Sequence, residues 1–376
     1  MRRKLLLGSS LIMAALVAWV WFGPLSAWRS IEHVSFNPDG ARQVLADIRA
    51  EPTSADPANT PTNVLEPIAQ PVPSPTRAES AATPPSAIVK PPTTTPPAAV
   101  VPVESQVVAA FDARSELDVF LILGSDEKTA DPDIRADTIM LLIVPGDRSS
   151  SMLVSIPRAL LVTSPCHGGA APINVNLEGC ETVTGLDLMG VAVEDYTGLT
   201  IDHLVLFDFN GFETIIDRMG GLEICVDHAI KIREQAPVFL EPGCSTLDGA
   251  QALSWVRERQ MLDRVNGEWQ LMADAGDAGR TDRQRVMVRQ LMGRADQFES
   301  PAALTALLSE LSGSVALDTG FGIGEALELA WDYRSLASRP AYDVRVSGTG
   351  AVSPAGDLVL IPDRPFAEYL EVLADP

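Results

Sequence analysis

Three apolar runs, Val119–Leu123, Ile139–Val144 and Met152–Ile156, are short, rich in β-branched residues and bounded by Gly, Asp or Pro. Runs of this kind form buried strands. His203–Phe209 reads as another strand, Phe212–Met219 as a helix that Gly220-Gly221 ends, and Leu222–Val226 as a further strand. The alternation predicts an α/β domain with a central mixed sheet flanked by helices. Helices are also expected at Ala250–Arg257 and from about Thr281. The tail reads as helices near Ala302–Leu311 and Gly324–Ala337, with strands near Tyr342–Ser347 and Asp357–Ile361.

The residues between the first strands carry the chemistry. Asp126 follows Gly-Ser at the end of the first run, Arg135 and Asp137 precede the second, and Pro157-Arg158 follows the third. Ligands of open α/β sheets bind beyond strand ends. Two carboxylates and two guanidiniums there suit a divalent cation and an anionic group such as phosphate. Downstream, Arg257 and Arg259 flank Glu258, and Arg280 and Gln284 lie four apart on one helix face. Arginine forks with an amide at a helix start make an oxyanion cradle. Exposed surface arginines are the plainer alternative.

What precedes the domain sets its compartment. Arg2, Arg3 and Lys4 lead into an uncharged apolar run, Leu5–Gly23. Nineteen residues span about 28 Å, close to the hydrocarbon thickness of a bilayer. Trp19, Trp21 and Trp28 cluster at its far end, as in an interfacial belt. The positive-inside rule leaves residues 1–4 in the cytoplasm, 5–23 as a transmembrane helix and the rest outside. A cleaved signal peptide is the alternative, but no small-x-small site follows cleanly. Residues 24–50 then form a juxtamembrane segment able to make a strand and a short amphipathic helix.

From Glu51 to about Val107 the chain holds 14 prolines among Ala, Thr, Ser and Val. Such a stretch cannot bury enough apolar area to offset its ordering entropy. Residues 51–113 are expected to be a disordered tether, with the globular domain at 114–376. Cys166 and Cys180 are separated by a short loop, as are Cys225 and Cys244. Four cysteines outside the cytoplasm suggest two local disulfides, although three pairings exist. The formal charge of −22 argues against a nucleic-acid binder, which needs a net basic face.

The motifs taken together resemble the LytR-CpsA-Psr family of bacterial cell-wall assembly. They are Gly124-Ser125-Asp126, Arg135-Ala136-Asp137-Thr138, Ser155-Ile156-Pro157-Arg158, Ile201-Asp202-His203, Phe209-Asn210-Gly211-Phe212, Leu247–Leu253, Val256–Arg259 and Asp277–Gln284, in the family's order. The resemblance implies a magnesium-dependent phosphotransferase that takes a glycopolymer from a polyprenyl-diphosphate carrier and joins it to peptidoglycan. Asp126 and Asp137 would hold Mg2+. Arg135, Arg158, Arg257, Arg259, Arg280 and Gln284 would hold the diphosphate, with the lipid tail in an apolar pocket. Arg158, Asp126 and Asp137 would be catalytic. One position departs from the family pattern: Ala159 stands where the family usually has aspartate. That departure supports a second reading, a non-catalytic polyprenyl-diphosphate-binding scaffold.

Overall fold

The computed structural model describes residues 28–50, 66–67, 117–125, 136–167, 169–232, 237–273, 275–293, 315–333, 336–353, 356 and 358–374. The apolar run Leu5–Gly23, nearly all of the proline-rich segment, Asp126, Arg135 and the helix expected at Ala302–Leu311 lie outside them. Among the described residues, no helix is long and apolar enough to cross a membrane.

The N-terminal part contributes strand β1 (Glu32–Val34) and helix α1 (Pro38–Ala50). Strands β2 (Leu117–Ser125), β3 (Ala136–Pro145) and β4 (Ser151–Ser155) follow, then helix α2 (Gly185–Thr197), β5 (His203–Asp208), α3 (Phe209–Arg218) and β6 (Leu222–Val226). Next come β7 (Ile230–Ile232), β8 (Val238–Leu240), β9 (Gly243–Leu247), α4 (Gly249–Arg257), β10 (Leu262–Val265) and β11 (Glu268–Leu271). Helix α5 (Asp277–Gly293), β12 (Val315–Asp318), α6 (Ile323–Tyr333) and β13 (Ala341–Arg345) complete the frame.

The central sheet has the order β1-β12-β5-β2-β3-β4-β13. Three of its pairs are parallel (β1/β12, β5/β2, β4/β13) and three antiparallel (β12/β5, β2/β3, β3/β4). The sheet is mixed, as expected. Strands β2 to β4 are covered on both faces, which is why they read as nearly unbroken apolar runs. One face packs α2 through Met189, Ala192 and Val193 against Leu121, Leu141 and Val154. The other gathers Phe120, Val315, Leu317 and Phe321 beneath Trp28 and Ile31.

That last contact corrects the expected domain boundary. Residues 24–50 do form a strand and a helix, but these belong to the fold: β1 extends the sheet beside β12, and α1 lies on α2. Arg42 pairs with both Glu194 and Asp195 of α2. At Gly190 a Cβ would stand 2.7 Å from Pro38 and 2.8 Å from Phe36, so only glycine admits this approach. The proline-rich stretch therefore joins two parts of one domain and does not set its distance from the apolar run.

Beside the central sheet, α3 and α4 pack with the β6/β9 pair and a four-stranded sheet, β8-β7-β10-β11, around a second core. Cys225 and Cys244 stand directly opposite one another on β6 and β9 and are bonded; Cys166 and Cys180 form the other disulfide. Both pairings are those expected.

Candidate functional site

Antiparallel pairing decides what meets at one end of the central sheet. Met140 pairs with Ser155, so the start of β3 lies beside the end of β4. Asp137, second in β3, and Arg158, three residues past β4, therefore converge: Arg158 Nη1 donates to Asp137 Oδ1 at 2.6 Å. Ser125 pairs with Ala136 across a bulge, which places the end of β2 next to the same point.

The other half comes from α4 and α5. Arg259 stands just past α4, and Asp277 and Arg280 occupy the first turn of α5. The Gly276 N–H donates to the Arg259 carbonyl at 2.7 Å and ties the two ends together. Arg280 Nη1 lies 3.4 Å from Asp137 Oδ2, and its Nη2 lies 2.8 Å from Asp277 Oδ1. Arg259 sits 3.6 Å from both carboxylates, and Arg158 Nε lies 3.8 Å from Asp277. Three guanidiniums and two carboxylates leave one net positive charge, within a chain of formal charge −22. An arginine-rich patch of this kind attracts anions locally despite the global field.

Arg280 differs from its neighbours in being only 4% exposed. Burial pulls its guanidinium below the ordinary arginine value; Asp277 and Asp137 act in the opposite direction, and Arg259 and Arg158 reinforce the lowering. Its Nε is buried without a hydrogen-bond partner. A buried guanidinium with an unused donor is ready for one more acceptor, which a phosphate oxygen supplies.

Gln284, expected at the diphosphate, packs against the end of α4. It is buried, with Nε2 3.5 Å from the Val256 carbonyl. Arg283 beside it donates through Nε to the Trp255 carbonyl at 2.9 Å and through Nη2 to that of Glu258. These two side chains fasten α5 to the carbonyls that end α4, groups which a helix leaves unpaired. They hold Arg259 in position relative to Arg280. Arg257 is the half-buried last residue of α4. Asp277 was absent from the expected site set, although it lies in the motif that named Arg280 and Gln284; an acidic residue in a helix's first turn reads as dipole compensation.

Of the two carboxylates expected to hold magnesium, Asp137 is among the described residues. Among the described residues no group of three His, Cys, Asp or Glu side chains could hold a metal. Asp137 is partly exposed and faces three guanidiniums. Ser125, the residue before Asp126 in sequence, ends β2 one register step from Asp137. A carboxylate is the kind of hard oxygen donor that Mg2+ takes. A separate groove of about 540 Å³ is lined by Leu161, Val162, Tyr196, Arg364 and Phe366, with Asp195 and Asp363 among the other walls. Its lining mixes apolar and charged side chains.

A model of the LytR_cpsA_psr family matches residues 98–367. The chain belongs to this family. One LytR-CpsA-Psr relative is the cell wall biosynthesis protein LcpA of Corynebacterium glutamicum, 28% identical over 258 residues, or 62% of this chain and 46% of that protein. Another, from Oceanobacillus iheyensis, is the polyisoprenyl-teichoic acid–peptidoglycan teichoic acid transferase TagU, 32% identical over 203 residues, or 53% of this chain and 58% of its own. The chain thus spans about half the length of these curated relatives. Solved structures share the fold. Bacillus subtilis TagV superposes with a TM-score of 0.55 at 21% identity, covering 69% of this chain and 96% of TagV. A LytR-Csp2A-Psr enzyme from Actinomyces oris gives 0.54 at 22% identity, covering 68% and 89%.

Proposed function

We propose that this protein is a cell-envelope phosphotransferase that moves a glycopolymer from a polyprenyl-diphosphate carrier to peptidoglycan. The observation that carries the reading is the meeting of Arg158, Arg259 and Arg280, from three separate elements, around Asp137 and Asp277. Family membership and the printed names of the relatives, among them TagU, support it. In the reaction, an acceptor hydroxyl oxygen attacks the phosphorus that carries the glycan, and its proton is released to solvent. The P–O bond to the second phosphate breaks, and polyprenyl monophosphate leaves with the bonding electrons. Charge builds on that leaving phosphate, where preorganised guanidiniums are most effective. Arg280 supplies a fixed, desolvated donor, while Arg158 and Arg259 close from the more exposed side. Mg2+, held by Asp126 and Asp137, would neutralise the diphosphate and polarise it for attack. Arg135 and Arg257 would add to the diphosphate contacts.

The same reading puts the protein at the cell membrane, single-pass, with its domain outside the cytoplasm. The charged start, the apolar run Leu5–Gly23 and the two disulfides support this. Ala159 favours a second reading, a diphosphate-binding scaffold without turnover. Its carbonyl accepts from Leu360 N–H, but it offers no carboxylate. Asp277 reaches all three arginines and supplies an orienting carboxylate to them, which favours turnover. The deciding experiment is phosphate release from farnesyl diphosphate with and without magnesium. Magnesium-dependent release is expected; tight binding with no release at any magnesium concentration would leave the scaffold.

A further inference from the structure

In the four-stranded sheet β8-β7-β10-β11, one face of β7 and β8 packs into the second core, while β11 is exposed along its length. Ile230, Ile232, Val238 and Leu240 point inward and are buried. Register fixes the opposite face: Lys231 pairs with Phe239 and with Leu262, Leu262 pairs with Leu271, and Arg264 pairs with Trp269. By the two-residue period of strands, these six side chains share the outer face. Phe239 and Leu271 are each 55% exposed and Trp269 is 39% exposed. The Phe239 and Trp269 rings meet at a centroid distance of 6.0 Å. Scattered exposed apolar residues are ordinary, but a contiguous aromatic and aliphatic patch marks an interaction surface.

We propose that this face seats on the lipid–water interface of a membrane bearing anionic headgroups. Tryptophan, phenylalanine and leucine with a lysine and an arginine among them is the composition of an interfacial membrane surface. The charge is complementary: Lys231 is one of four lysines in a chain of net charge −22. On these strands Asp263 and Glu268 alternate to the other side of the sheet. The patch is also continuous with the site. Hairpin β10–β11 runs between Arg259 and Asp277, and its base is closed by Met272 N–H to Met261 O and Gly276 N–H to Arg259 O. Seating the hairpin brings the arginine cluster toward headgroup depth, where the diphosphate of a lipid-linked donor lies. That last step rests on the function proposed above; the lipid contact itself does not.

The test uses the full chain, whose four native cysteines are all disulfide-bonded. Leu271→Cys carrying a nitrobenzoxadiazole label is reconstituted into phosphatidylcholine vesicles with or without phosphatidylglycerol. The expected result is a blue-shifted emission quenched by spin-labelled lipid, strongest with phosphatidylglycerol and weakened by salt. The label at Val352→Cys, exposed on a separate sheet, stays unquenched. Adding Lys231→Glu and Arg264→Glu lowers the lipid-contacting fraction by about ten-fold or more. The double variant retains the parent's affinity for farnesyl diphosphate in detergent solution, which separates this proposal from the reading of the site. Equal quenching at positions 271 and 352, no quenching in either vesicle, or a signal that follows protein density and ignores the lipid quencher would overturn it. The last outcome would mean that a second copy covers the face.

Discussion

The residues of the arginine cluster make unequal contributions, and burial predicts the order. Arg158 and Arg259 are partly exposed, so alanine there removes charged hydrogen bonds to a diphosphate, worth about 1.5–3 kcal/mol each. The expected loss is about ten- to hundred-fold in farnesyl diphosphate affinity, by calorimetry, with the melting temperature unchanged. Arg280→Ala weakens binding and also destabilises the fold, because a buried guanidinium with two carboxylate partners is removed. Lysine at 158 or 259 weakens binding too, since one ammonium cannot replace a fork. Parent-like affinity in folded Arg158→Ala and Arg259→Ala variants would remove both from the site. Ala159→Asp raises phosphate release with little change in affinity if the missing carboxylate acts in the chemical step. The sequence showed Asp137, Arg158, Arg259 and Arg280 because each sits at a strand or helix end within a recognisable motif. It did not separate them from Gln284, whose buried role at the end of α4 depends on how two helices dock.

A second residue-scale pair lies at the other end of β5. His203 is 3.5 Å from both Asp318 and Glu325. Burial lowers the His203 pKa, but Asp318, Glu325 and Asp202 more than offset it, so the imidazole lies above its ordinary 6.5. Burial raises Asp318, but His203 and the N–H groups of Leu204 and Phe321 hold its carboxyl below the ordinary 3.8. The histidine contribution is fully present below pH 6.5 and lost as pH rises through the higher folded value. The aspartate contribution is present above pH 3.8 and lost as pH falls through its lower folded value. The pair therefore stabilises most between those two values. Denaturant melts of the parent and His203→Gln should differ most in that window and converge above neutrality. A difference independent of pH would show that His203 acts only by packing against Phe120 and Phe321.

At the scale of elements, strands of the central sheet were legible because they are buried on both faces and bounded by turn residues. Helix α2 was not, for the same physical reason. Leu188 through Glu194 are all buried, so no polar stripe marks the helical period. The β7–β8–β10–β11 sheet escaped because its strands are three or four residues long and carry apolar side chains on the outside. Helix α5 begins one turn before the expected Thr281, and that added turn carries Asp277. The helix is fastened to edge strand β13 by Arg289 with Asp343 and by Arg345 with Asp282. These pairs are partly exposed, so Asp343→Ala should cost at most about 1 kcal/mol by denaturant melts. The β6/β9 disulfide matters more. It closes 19 residues of sequence separation, for which the chain-entropy model gives about 3 kcal/mol. Cys225→Ser with Cys244→Ser should lower the unfolding free energy by about that amount. Free thiols at all four positions in protein from an oxidising compartment would contradict both bonds.

For the whole molecule, composition sets the proline-rich stretch apart, while packing connects what lies on either side of it. The proline-rich stretch looks like a boundary because it cannot fold alone, and a boundary suggests that the domain begins after it. Long-range packing reverses the conclusion. Without residues 28–50, β12 becomes an unpaired edge of the central sheet, with a row of open backbone groups. Phe120, Val315, Leu317 and Phe321 lose the cover of Trp28 and Ile31, and Val183, Leu188 and Val191 lose Ala41 and Leu45. Full burial of each large apolar side chain contributes about 1.5–3 kcal/mol. Trp28, Ile31 and Leu45 together approach the whole stability of an ordinary domain, about 5–15 kcal/mol. A chain starting at Arg114 should therefore melt far below one starting at Trp28, or aggregate through its open edge. Leu45→Ala in the full chain keeps the backbone intact and isolates the packing contribution, with an expected cost of about 2–5 kcal/mol. Equal melting temperatures for chains starting at 28 and at 114, both monomeric, would show that β1 and α1 are only draped on the domain. The proline-rich stretch would then be the tether its composition first suggested.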